Sequence, residues 1–195
     1  MPGRGEAGRD PMRRLFAALM LPDAAREHLV TALRPLRSPE LRWTDPDNWH
    51  LTLAFYGNQP NDVLAVTERL AQAAALHGPL NLELSGAGSF DRRTLWIGVG
   101  GDVAELRGVM ADCLLDPGER HRQRAHLTVA RAGARTRDPW LVADHAHALS
   151  VYRGPAFTAS EVQLVESHLG SGRGGGPHYE VVESFRLREA PPVWR

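Results

Sequence analysis

The sequence predicts an α+β fold of two pseudo-symmetric lobes, with mainly antiparallel sheets facing a central cleft and helices on the outside. Three observations predict it. A hexapeptide of the form apolar-His-Leu-Thr-apolar-Ala occurs twice, as Trp49-His50-Leu51-Thr52-Leu53-Ala54 and Ala125-His126-Leu127-Thr128-Val129-Ala130, and such a repeat suggests two similar half-domains. Helix-plus-strand order recurs in both halves. The strands are not spaced by crossovers of equal length, which disfavours a doubly wound parallel sheet.

Taken in order, residues 1 to 12 are glycine, arginine and acids with no apolar core, and are expected to be a disordered tail. Residues 13 to 195 are expected to form a single bilobal domain. Arg13 to Met20 is a short apolar run that reads as a buried strand. Leu21-Pro22-Asp23 stops it and caps a helix from about Ala24 to Leu36, with Leu29, Leu33 and Leu36 at helical spacing. Leu41 to Trp43 is a brief strand, Asp45-Pro46-Asp47 a turn, and Trp49 to Tyr56 the strand of the first motif. Asn61 is the expected cap of a helix from about Asp62 to Leu76. Leu80, Leu82 and Leu84 alternate as one face of a strand that ends at Phe90. Asp91-Arg92-Arg93 turns, and Thr94 to Val99 returns as a hairpin partner, closing the first half.

Asp102 is expected to cap a helix reaching about Leu115, followed by a charged loop from Asp116 to Arg124 and the second motif strand, Ala125 to Arg131. Pro139 to Leu149 reads as a helix. Pro155 to Ser160, Val162 to Ser167 and Tyr179 to Leu187 read as strands, and the Gly170 to Gly176 run between the last two as a mobile hairpin loop.

Composition narrows the chemistry. The chain of 195 residues is 43% hydrophobic and 24% charged, ordinary for a soluble globular protein, and its net charge is zero. Any nucleic-acid contact must therefore be local. All 23 basic residues are arginine. Without lysine there is no P-loop phosphate-binding lysine and no lysine nucleophile to carry an adenylate. Arginine is the better bidentate phosphate partner, although wholesale replacement of lysine also suits a GC-rich genome. Cys113 is the single cysteine, so neither an internal disulfide nor a cysteine-rich zinc site is open to the chain, which suits a cytoplasmic protein. No apolar run approaches the length of a membrane span.

In an extended strand alternate side chains share a face, so His50 and Thr52 point one way and Leu51 and Leu53 the other. His126 and Thr128 repeat this. If the halves pack face to face, two imidazoles and two hydroxyls meet in one cleft. At these residues the chain resembles the 2H phosphoesterases, and within them the RNA 2',3'-cyclic phosphodiesterases, also called 2'-5' RNA ligases. The likeness runs from Arg13 to Leu187. It is carried by Arg14-Leu15-Phe16-Ala17-Ala18-Leu19, by Arg42-Trp43 and Asn48 to Gly57, by Leu95-Trp96-Ile97-Gly98-Val99, by His126 to Arg131, and by Glu166-Ser167 with Tyr179-Glu180-Val181. Ala125 departs from the family's proline, and the segment before it is unusually rich in arginine.

The resemblance implies an enzyme with catalytic His50 and His126 and phosphate-binding Thr52, Thr128 and Arg131. It implies RNA ends bearing a 2',3'-cyclic phosphate as substrate, a 2'-phosphate product, and no cofactor or metal. Imidazole, with an unperturbed pKa of about 6.5, can act as either base or acid near neutrality. The threonine hydroxyls would donate to the non-bridging oxygens, where charge grows in the transition state. Which histidine is the base stays open, and so does the part played by Arg131, whose odd offset from His126 points it away from the histidine face of an unbroken strand. Trp43, Phe55, Trp49 and Tyr179 are candidate stacking surfaces or core residues. Arg120, Arg122 and Arg124 are candidate RNA-backbone contacts or a solvated loop. His145 and His147 have a metal-like spacing that a surface helix also explains. Alternative readings are a phosphodiesterase of small cyclic phosphates and a non-catalytic module that binds RNA ends. The chain is expected to be a monomer that binds no membrane.

Overall fold

The computed structural model describes residues 12–116, 118 and 124–188. Nine strands and four helices lie among them, and every strand pairing is antiparallel. The strands are β1 (Arg13–Met20), β2 (Leu41–Trp43), β3 (His50–Gln59), β4 (Leu80–Phe90), β5 (Thr94–Gly101), β6 (Leu127–Ala132), β7 (Phe157–Ala159), β8 (Glu161–His168) and β9 (His178–Arg186). The helices are α1 (Asp23–Leu33), α2 (Leu64–Leu76), α3 (Val103–Asp112) and α4 (Leu141–Ala148). Residues 1–11 of the expected tail, with Arg120 and Arg122, lie outside the described residues.

The strands form two sheets, one ordered β3-β1-β8-β9 and the other β2-β6-β5-β4-β7. The expected lobes are thus present, but they are not successive halves of the chain. β8 and β9 come back to the first sheet, while β4 and β5 join the sheet of the second motif. Edge pairing explains the interleaving. β1 has one edge on β3 and offers the other to β8, and β5 has one edge on β4 and offers the other to β6, so no long central edge is left bare.

One face of each sheet packs into a shared core that includes Leu15, Leu19, Leu51, Leu53, Leu82, Leu95, Ile97, Leu127, Val129 and Leu164. Helix residues Leu29, Leu33, Leu70, Leu106, Val109 and Val142 cover it from outside. Each fully buried Leu or Ile contributes about 1.5–3 kcal/mol, so the alternation of Leu51 and Leu53 against His50 and Thr52 fixes which face of β3 is wet.

Several expected caps differ. Pro22 precedes α1, and Asp23 is the first helical residue, its carboxylate taken by Arg26 at 2.6 Å. Asp62, not Asn61, accepts the first free amide of α2, from Leu64 at 3.0 Å. Asp102 is the N-cap residue of α3 as expected, but its carboxylate takes the amide of Asn81 at 2.8 Å and not a helix amide, so it also ties α3 to β4. The glycine-rich run is the β8–β9 connection and contains one 3-10 turn at Arg173–Gly175, closed by the Gly172 amide donating to the Gly176 carbonyl at 2.9 Å.

Candidate active site

His50 is the first residue of β3 and stands opposite Met20 of β1; Thr52 stands opposite Ala18. The Nδ1–H of His50 donates to the Asn48 carbonyl at 2.7 Å. His126 immediately precedes β6, and its Nδ1–H donates to the Arg124 carbonyl at 2.8 Å. In both copies the carbonyl two residues upstream fixes the tautomer, so Nε2 is the nitrogen left for substrate. Burial holds the His50 pKa below its ordinary value of 6.5; the bond to Asn48 works against this, and the neighbouring charge of His126 lowers it further.

Both motif strands carry an extra residue at the same place. Along β1, Ala18 faces Thr52 and Ala17 faces Ala54, so Leu53 is unmatched. Along β5, Trp96 faces Thr128 and Leu95 faces Ala130, so Val129 is unmatched. A bulge of this kind reverses the parity of the residues beyond it. Phe55 and Arg131 therefore join the faces of Thr52 and Thr128 despite their odd offsets. Phe55 is 68% exposed. Arg131 reaches the hydroxyl of Thr94 at 3.1 Å, on the same face of β5 as Trp96.

Aromatic rings flank each histidine. Phe16 lies 4.8 Å and Tyr179 5.1 Å from His50, ring centre to ring centre. Phe90 lies 4.9 Å and Trp96 6.3 Å from His126. Phe16, Ala18 and Val165 form a small apolar cluster on the cleft side of the first sheet, with Tyr179 packed on it. Burial raises the Tyr179 pKa, opposed by the charges of Arg131 and Arg14. The Trp96 indole lies over Gly88, where a Cβ would come within 2.2 Å of the ring. The Arg124 guanidinium also lies over this indole, 4.6 Å from the ring centre. Trp96 thereby steadies the residue whose carbonyl orients His126.

A hydrogen-bonded clasp joins the two motifs. The Trp49 indole N–H donates to the Thr44 hydroxyl at 2.8 Å. That hydroxyl donates to the carbonyls of Thr128 and Val129, each at 3.0 Å, and the Thr44 amide donates to Val129 at 2.9 Å. Thr44 thus holds the bulge of β6 and the residue before His50 together.

Not every sequence candidate reaches the cleft. Trp43 pairs with buried Ala130, packs against the core and donates its N–H to the Ser38 carbonyl at 3.0 Å, so it stands on the opposite side of the sheet from Thr128. Trp49 is 2% exposed and committed to Thr44. His145 has both ring nitrogens against carbonyl oxygens, of Leu141 at 2.8 Å and Leu36 at 2.7 Å, which ties α4 to the end of the α1 segment. Sequence reasoning passes over Phe16, Phe90, Trp96, Asn48 and Thr44. The alternation of Arg14, Phe16 and Ala18 against Leu15, Ala17 and Leu19 is the available signal for the first wall. Among the described residues no helix is long and apolar enough to cross a membrane.

Known proteins resemble this chain in sequence and in fold. An RNA 2',3'-cyclic phosphodiesterase of Thermus thermophilus is 31% identical over 201 residues, covering 90% of each chain. One from Geobacillus stearothermophilus is 30% identical over 165 residues, 78% of this chain; the match spans only 50% of that relative's length. The crystal structure of E. coli LigT complexed with 3'-AMP superposes with a TM-score of 0.69 at 22% identity, covering 92% of this chain and all of LigT, which shows a common fold. The 2'-5' RNA ligase superfamily matches residues 21–171. With two similar motif strands, one cleft between two antiparallel sheets and this match over most of its length, the chain belongs to the 2'-5' RNA ligase superfamily of 2H phosphoesterases.

Proposed function

We propose that the protein is an RNA 2',3'-cyclic phosphodiesterase that opens the terminal cyclic phosphate to a 2'-phosphate by acid/base catalysis between His50 and His126. The observation that carries this reading is the matched pair of histidines, each with Nδ1 held by a backbone carbonyl and with no partner for Nε2 among the described residues. The names of relatives about 30% identical support the substrate class.

In the hydrolytic direction water attacks phosphorus and gives its proton to Nε2 of His50. The bond from phosphorus to the ribose 3' oxygen breaks, and Nε2 of protonated His126 supplies the proton to that oxygen. His50 is assigned the base because its surroundings favour the neutral imidazole. Thr52 and Thr128 donate hydrogen bonds to the non-bridging oxygens as their charge grows. Arg131 binds phosphate from the face of Thr128, and Phe55 and Tyr179 offer apolar surface to the nucleoside. Ring strain and an internal leaving oxygen let these groups suffice without a Lewis acid. Run backwards, with an RNA 5'-hydroxyl in place of water, the same site forms a 2'-5' linkage without ATP.

The test is turnover of an oligonucleotide ending in a 2',3'-cyclic phosphate, in the presence of EDTA, with the product end identified. A 2'-phosphate is expected. Complete loss of turnover on chelation, or binding with no product, overturns the proposal.

A further inference from the structure

Arg42 of β2 stands directly opposite Arg131 of β6, and both are exposed. Like charges in direct cross-strand register destabilise a sheet. Acids are not scarce, since the chain has 23 of them, and other arginines use them: Arg13 pairs with Glu166 at 2.7 Å and Arg153 with Glu83 at 3.1 Å. Among the described residues Arg14, Arg42 and Arg131, like most of the arginines, have no ion-pair partner, so their charges stand uncompensated.

Position gives the three a common direction. Arg131 is on the face of Thr128 because of the Val129 bulge, and Arg42, its cross-strand partner, shares that face. The Arg42 stem is laid over Gly133, where a Cβ would approach its Cδ at 3.2 Å. Arg14 is exposed on the other sheet, on the face of Phe16, two residues from the ring that packs on His50. Tyr179 packs on Phe16 beside His50, and the charges of both Arg131 and Arg14 act on its hydroxyl. Arg131 is three residues past Thr128, about 7–10 Å along the strand. Arg131 and Arg42 therefore lie beyond Thr128 along the strand, on the threonine's own face.

We propose that Arg42 and Arg14 join Arg131 in a cationic saddle that grips the phosphodiester next to the cyclic phosphate, so that the enzyme selects the end of an RNA chain over a cyclic mononucleotide. The proposal rests on the phosphodiesterase reading and adds the substrate's second anchoring point.

The experiment compares kcat/KM for three substrates: a cyclic mononucleotide, a cyclic-phosphate-ended oligonucleotide, and the same oligonucleotide with a neutral methylphosphonate at the penultimate linkage. In the native protein the neutral linkage is expected to lower kcat/KM about tenfold or more, the size of one charge-assisted hydrogen bond. In the Arg14→Gln/Arg42→Gln double variant the two oligonucleotides should differ by less than about twofold, and the slope of log kcat/KM against log salt should become shallower by about 0.7 for each phosphate no longer neutralised. Arg42→Lys, which keeps the charge, should retain most of the discrimination. Indifference of the native protein to the neutral linkage, or an equal penalty in the double variant, overturns the saddle while leaving the phosphodiesterase reading in place. Failure of the native protein to cleave any of the three overturns both.

Discussion

Phe55 and Arg131 occupy the same place in the two copies of the motif, each brought to the cleft face by one unmatched residue, Leu53 in β3 and Val129 in β6. The repeat therefore extends beyond the His-Leu-Thr core to the backbone irregularity that follows it. One copy uses that position for an exposed ring and the other for a guanidinium, which makes the two walls of the cleft chemically different.

Removing either imidazole should disable the reaction. His50→Ala and His126→Ala are each expected to lower kcat by about 10²–10⁴-fold. The double variant should be little worse than the poorer single one, because the two act as a unit. Steady-state rates on a cyclic-phosphate-ended oligonucleotide check this, and a double loss equal to the product of the single losses would show independent roles.

The pH profile follows from the lowered pKa of His50. A base must be unprotonated, and burial, with the charge of His126, keeps His50 so below its ordinary 6.5. The acid limb of kcat/KM is therefore expected below pH 6.5, and activity falls as pH drops through it. An acid limb above the ordinary imidazole value, or its persistence unchanged in a His50 variant with residual activity, would contradict the assignment.

Thr44 should matter although it touches no substrate. Thr44→Val leaves the Trp49 N–H without its acceptor and the Thr128 carbonyl without the hydroxyl, while the Val129 carbonyl keeps the backbone amide of residue 44, at about 1–3 kcal/mol of stability. It should also lower kcat more than it raises KM, since it loosens the bulge that sets Arg131 and the residue before His50. Thr44→Ser keeps the hydroxyl and should restore both. Thermal unfolding measured beside the kinetics separates this from simple destabilisation.

Gly88→Ala drives a methyl into the Trp96 ring. The indole must move, and with it the cation–π pair that steadies Arg124. A fall in kcat is expected with His126 still in place, and the change in Trp96 environment should be visible in fluorescence.

Cys113 is fully buried, and burial, with Asp112 nearby, pushes its thiol pKa up to about 12. It should resist a thiol reagent at neutral pH in the native state and react fully once denatured. Fast native labelling would contradict the packing around α3.

The two motif strands, their wet and dry faces and most of the helices are legible in the amino-acid order. These are local matters: period-2 alternation, helical spacing and turn residues act over a few positions, and burial of Leu51, Leu53, Leu127 and Val129 enforces them. The alternation of Arg14 and Phe16 is present in the sequence too, but a short apolar strand looks buried on both faces until its neighbours are known. Which strands share a sheet is a tertiary matter, since β8 and β9 return to β1 across most of the chain to satisfy an open edge. So is the turning of Arg131 toward the histidines, because a bulge is a property of two paired strands and appears in neither one read singly. Packing likewise separates Tyr179 from Trp43: both are aromatic residues on strands, and the side of the sheet that meets the core is settled by what lies against it.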